Sequence, residues 1–182
     1  MINKMPNLIR QVIEDLDKPE EWRGLRINRR KPHTERLFKF YGDIRACLHH
    51  FSPCEEKEAF PHPHAWDMAA LCLEGGFFMF LHMEDNFWES KKGKCEPRLS
   101  TLSEMYMGAG CSYTMTNPMV WHTVVPVSET YTIMFNSPTR HHMANSAHCV
   151  TTDGKELEEF DPTYQLEYLE KFKGLLSPFS GV

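Results

Sequence analysis

The stretch FPHPHAWDMAALCLEGGF, residues 60–77, sets His62 and His64 one residue apart, ahead of an apolar run and a Gly-Gly pair. Alternate residues of an extended chain leave from the same face, so these two imidazoles are expected to point the same way. Two neutral imidazoles side by side are half of a metal site. Nitrogen ligands of this kind suit iron, zinc, manganese, nickel or copper, and imidazole alone does not choose among them. A third histidine with the right setting lies in NPMVWHTVVP, where His122 follows a Pro-containing turn and opens a β-branched run. The chain holds 10 histidines in 182 residues, and these three are the ones whose spacing points to a shared ion.

The elements that must carry these residues can be read from the texture of the chain. Leu8, Ile9, Val12, Ile13 and Leu16 recur at helical spacing until Pro19, which predicts an amphipathic helix within residues 1–20. From 36 to 160 the chain changes to short aromatic and β-branched runs parted by Gly, Pro, Asn and Ser. This pattern predicts an antiparallel sandwich or barrel rather than alternating strands and helices. Leu166, Leu169, Phe172 and Leu176 follow Asp161-Pro162 at helical spacing, so a second helix is expected over 161–177. Length and periodicity predict one all-β domain framed by two helices.

Composition narrows the function. A net charge of -5 argues against a nucleic-acid partner. The basic stretch RGLRINRRKPH at 23–33 is too short for a phosphate track and reads as a solvated loop. No run approaches the length of a membrane span, and the N-terminal segment lacks an apolar signal core, so no membrane association is expected. Six scattered cysteines without a C-x-x-C pair suggest free thiols and a cytoplasmic location. Cys72 and Cys111 read as core thiols. His49 and His50 project to opposite sides of CLHHF and receive no role. His141 and His142 are adjacent and make a poor ligand pair.

HPHAWDMAALCLEGGF followed by NPMVWHTVVP resembles the two signature segments of the cupin superfamily. His62 and His64 fall on its paired histidines, Gly75 on the closing glycine of the first segment, and His122 on the second-segment histidine. The likeness covers about residues 58–138 and implies a small jelly-roll β-barrel with a metal in its mouth. HAWDM and LEGGF also resemble a group of uncharacterised cupins. The sequence departs from the pattern twice. Met68 or Ala69 stands where cupins carry a metal-binding glutamate, and Asn117 and Met119 replace the Pro and Gly of the second segment. Three ligand sets follow: His62, His64 and His122 alone, as in the thiol dioxygenase branch; the same with Asp67, which needs a bulge; or the same with Glu74. The first ranks highest.

On this reading the chain is a mononuclear metal-dependent enzyme. The resemblance implies an iron(II) dioxygenase acting on a small polar molecule such as a thiol or an amino-acid-like compound, with zinc, manganese or nickel as other candidate ions. A non-enzymatic small-molecule binder and a metal-dependent isomerase or hydrolase are the other classes. Arg140 in SPTRHH is the candidate grip for a substrate carboxylate. Tyr131 or Tyr113 is the candidate hydrogen-bond donor to bound substrate or oxygen. Trp66, Met68, Phe78 and Phe80 share strand parity with the histidines and are expected to wall the pocket. Exposed strand edges suggest a homodimer.

Overall fold

The computed structural model describes residues 2–28, 31–64, 66–91, 94–137 and 157–180. Its first helix, α1 (Met5–Asp15), opens with Pro6 in the first turn and buries Met5, Leu8, Ile9 and Val12. Strands β1 (Arg23–Ile27), β2 (Thr34–Tyr41) and β3 (Ile44–Phe51) follow as an antiparallel meander. Next come β4 (His62–Pro63), β5 (Met68–Glu74), β6 (Gly76–Lys91), β7 (Lys94–Gly108), β8 (Ser112–Met115), β9 (Val120–Pro126), β10 (Thr130–Asn136) and β11 (Leu157–Glu159). The chain closes on α2 (Pro162–Leu176), capped by the Asp161 carboxylate, which accepts from the Tyr164 amide at 2.9 Å.

The strands form two sheets. One has seven strands in the order β11-β1-β2-β3-β10-β5-β8, and the other has four in the order β4-β9-β6-β7. Among the described residues the sheets are not closed, so the all-β expectation holds as a two-sheet β-sandwich framed by two helices. The strand layer also begins earlier than residue 36. Arg23–Ile27 of the basic stretch is β1 rather than loop, because Arg26 pairs with Glu35 across β2 at 2.9 Å and lies 4.2 Å from the Tyr164 ring centroid.

Alternation along the strands builds three layers. Leu37, Leu48, Leu71, Ile133 and Phe135 face outward from the seven-stranded sheet and meet Val12, Leu16, Leu169, Phe172 and Leu176 of the helical layer. Both helices therefore cover the back of this sheet. The opposite face turns Cys47, Met68, Ala70, Cys72 and Met134 toward the four-stranded sheet, which contributes Phe77, Met79 and Val124. A cavity opens between the sheets.

Gly75 marks where the apolar run AALCLEGGFFMF changes sheets. Its φ is +78°, and an added Cβ would sit 2.3 Å from the Glu129 carbonyl oxygen, so both conformation and space require glycine. The turn also resets the count of two. Phe77 and Met79 face the interior, whereas Phe78 stacks edge-on against Tyr106 on the outer face at 5.4 Å. The expectation that Phe78 and Phe80 wall the pocket is thus corrected to Phe77, while Trp66 and Met68 do line it.

Candidate metal centre

The segment Phe60-Pro61-His62-Pro63-His64 is extended for a local reason. Each residue preceding a proline is driven out of the helical region, and each proline fixes its own φ. His62 and His64 therefore leave the chain on one side. Proline lacks an amide donor, which keeps β4 to two residues. Across the sheet, His62 is the register partner of His122 on β9. Opposed antiparallel residues hold their side chains close together, so β4 and β9 bring the second sequence motif against the first.

The three rings meet at their Nε2 atoms. His62 Nε2 lies 3.0 Å and His64 Nε2 2.9 Å from His122 Nε2, and the three ligand atoms fall within 4.8 Å of one another. An octahedral face of nitrogens about 2.1 Å from an ion has edges of about 3.0 Å, so two of the three edges already have the required length. The donor chemistry fits an ion as well. A neutral Nε2 has one in-plane lone pair or one in-plane hydrogen, so His122 cannot make good hydrogen bonds to both neighbours. A cation on the three lone pairs satisfies all of them. His62 Nδ1 faces the Phe60 carbonyl at 3.4 Å, a long hydrogen bond favouring the tautomer whose Nε2 is free to ligate. Among the described residues His122 Nδ1 is buried with no partner, leaving packing and the other two imidazoles to hold its ring.

All three rings are kept neutral. Burial, with a smaller effect from the Arg36 charge, pushes His62 down to about 4 despite the Phe60 carbonyl. Burial and the neighbouring histidines push His64 and His122 well below the ordinary imidazole value, with Arg36 and Arg45 adding to the effect at His64. Neutral imidazole is the ligating form, so no proton has to leave before an ion enters at neutral pH.

The cavity beside the histidines holds about 230 Å³. Phe51, Phe60, Met68, Phe77, Val124 and Met134 give it an apolar wall, and Arg36, His49, Tyr113 and Thr132 supply polar groups. Arg36 and His49 are register partners on β2 and β3, and Arg36 Nε donates to His49 Nε2 at 2.8 Å. His49 is buried and held neutral by desolvation and by the Arg36 and Arg45 charges. Neither residue was singled out by its motif. The alternation that sends His49 and His50 to opposite sides does operate, and it is His49 that enters the cavity, opposite a basic residue one strand away.

Asp67 is outside the histidine group: its amide donates to Ser137 Oγ at 3.2 Å and its carbonyl accepts from Ser137 N at 3.0 Å. Glu74 is exposed at the end of β5 and pairs with Lys171 at 2.8 Å. Arg140, His141 and His142 lie outside the described residues. Tyr113 borders the cavity, and burial raises its phenol above the ordinary value.

Tyr131 lies on the face of its sheet opposite the cavity. Thr132 and Met134 of β10 take the inward positions, and Tyr131 instead stacks on His50 at 4.6 Å with Lys171 4.7 Å from its ring centroid. His50 bridges two carboxylates there, with Nδ1 3.0 Å from Glu35 and Nε2 against Glu129. Burial lowers its basicity, but the hydrogen bonds to Glu35 and Glu129 outweigh that and raise it above the model imidazole. A raised folded-state value stabilises fully below the unfolded value of about 6.5 and is lost as pH climbs through the folded value. Urea titrations should therefore show His50→Gln destabilised relative to the parent chain below pH about 6.5, with the gap narrowing at higher pH. A gap that does not vary with pH would contradict the charged bridge.

No protein-family model matches this chain, and no curated protein matches it. Solved structures similar to it include hydroxypropylphosphonic acid epoxidase from S. wedmorenis, at 13% identity over 65% of this chain and 56% of that one, with a TM-score of 0.44. An RmlC-like cupin from Shewanella frigidimarina is similar at 19% identity, 63% and 84% coverage and a TM-score of 0.41. KdgF from Halomonas sp. is similar at 16% identity, 63% and 88% coverage and a TM-score of 0.41. The match spans 50% to 57% of the first epoxidase structures' own length. A cupin is thus among the solved structures this chain is similar to.

Proposed function

We propose that the chain is a mononuclear metal-dependent enzyme in which His62, His64 and His122 hold one divalent ion, with iron(II) the first candidate, and that it oxidises a small anionic molecule with dioxygen. The observation that carries this reading is the convergence of three neutral Nε2 atoms, from buried His122 and half-buried His62 and His64, beside a 230 Å³ cavity. When bound, the ion supplies open coordination positions and a redox couple. Three imidazoles add no negative charge, so the ion's own charge favours an anionic substrate, such as a thiol or amino-acid-like carboxylate.

The protein's part is to bind, orient and keep water out. Arg36 presents a guanidinium to the cavity, and its bond to His49 fixes the plane of that fork. The apolar wall limits the water that could compete for the substrate's place. Arg36→Gln should raise KM for an anionic substrate by about 10- to 100-fold, the loss of a charge-assisted hydrogen bond, with a smaller change in kcat. An unchanged KM would remove Arg36 from the substrate's grip.

The test is oxygen uptake by metal-reconstituted protein against a panel of small thiols and amino acids. Uptake that chelation abolishes and iron(II) alone restores supports the oxygenase. The all-imidazole donor set also suits a zinc centre that activates water, which gives a second reading. Turnover without oxygen, supported by zinc, would select that reading instead.

A further inference from the structure

We propose that Cys72 and Cys111 are a redox-active pair that closes to an intrachain disulfide at the edge of the seven-stranded sheet. The pairing of β5 with β8 runs Met68↔Met115, Ala69↔Thr114, Ala70↔Tyr113 and Leu71↔Ser112. The next step of that register sets Cys72 opposite Cys111. Two backbone hydrogen bonds hold the two positions together there: Cys72 N donates to the Cys111 carbonyl at 2.9 Å, and Gly110 N donates to the Cys72 carbonyl at 2.9 Å. Ala70 and Tyr113 both line the cavity between the sheets. Cys72 lies two residues beyond Ala70 on β5, and Cys111, just before β8, lies two residues from Tyr113, a spacing that carries both side chains toward that face.

Directly opposed antiparallel residues carry Cβ atoms about 4.5–5.5 Å apart, and a disulfide needs about 3.5–4.5 Å. The difference is small, and β8 is the edge strand, with a turn containing Gly110 at φ +84° immediately before it. Closure therefore asks for a small shift of an edge, not a rearrangement of the core. The two thiols also divide the work. Cys111 is exposed and meets an oxidant first, whereas Cys72 is 2% exposed and packs with Phe77, Met79 and Met107. Burial, and then the neighbouring Cys111, push the Cys72 thiol up to about 11, so it stays protonated while the exposed Cys111 meets the oxidant.

With hydrogen peroxide as oxidant the steps balance. Cys111 sulfur attacks one peroxide oxygen, the O–O bond breaks, and the departing hydroxide takes the thiol proton as water, leaving Cys111 as a sulfenic acid. Cys72 sulfur then attacks Cys111 sulfur, the S–O bond breaks, and hydroxide leaves with the Cys72 proton as a second water. Two thiols are oxidised to one disulfide, and one peroxide is reduced to two waters. The bridge would fix the turn before β8 two residues from Tyr113, on the wall of the metal cavity.

The test uses the full chain with metal removed by chelation, so that no metal chemistry contributes. After treatment with hydrogen peroxide and alkylation of remaining thiols, peptide mapping should find the Cys72 and Cys111 peptides joined, lighter by two hydrogens, and separable by dithiothreitol. Cys111→Ser, an exposed position, should fold normally and leave Cys72 available to the alkylating agent after unfolding. Two results would overturn the proposal: Cys111 driven to sulfinic or sulfonic acid with Cys72 still free, or Cys111 joined to a cysteine other than Cys72.

Discussion

Replacing His122 with alanine is expected to abolish stoichiometric metal binding while leaving the chain folded. His122 is the hub of the cluster, because the 2.9 Å and 3.0 Å approaches both end on its Nε2. Losing even an outer partner of a metal ligand weakens affinity about 10- to 100-fold, and losing the central ligand of three should do more. The fold should survive, since the ring borders a cavity and its Nδ1 has no partner among the described residues. Elemental analysis and circular dichroism of the two proteins, prepared side by side, give the answer. A variant that retains metal at the parent level would move the ion away from these histidines.

The largest loss of stability is expected on the far side of the seven-stranded sheet, at Phe172. Its side chain is fully buried, edge-on to Tyr131 at 5.8 Å and tilted against Tyr168 at 5.2 Å. Truncation removes the apolar contacts and leaves a void between helix and sheet, so Phe172→Ala should destabilise by about 3–5 kcal/mol in urea unfolding. Metal bound per folded chain should stay the same, because the sheet separates Phe172 from the histidines. A loss below about 1 kcal/mol would mean that α2 does not clamp the sheet as described.

These two variants mark the division between what could and could not be read from the sequence. Local patterns were informative where one rule governs. Leu8, Ile9 and Val12 do form the buried face of α1, and Asp161-Pro162 does start α2, because helix periodicity and capping act within a few residues. The runs around CLHHF and ETYTIMFNS are strands, and the His-Pro-His segment is extended, for equally local reasons. What depends on pairing was not legible. Tyr131 and Thr132 differ by one residue, and only the register of β10 against β3 and β5 decides which faces the cavity. Arg36 is an ordinary arginine until β2 sets it against His49. Phe78 was misplaced because Gly75 passes the chain to the other sheet and ends the alternation begun at Met68. Whether a sandwich closes into a barrel is also decided by edges, and no single strand records that.

Three imidazole nitrogens, from His62, His64 and His122, are proposed to share one ion. X-ray absorption on untagged protein reconstituted with iron(II) tests it most directly. The account predicts one ion per chain with a shell of light scatterers at about 2.1 Å and the outer-shell pattern of three imidazoles, which His122→Ala abolishes. Substoichiometric metal, or a shell without imidazole scattering, would contradict it.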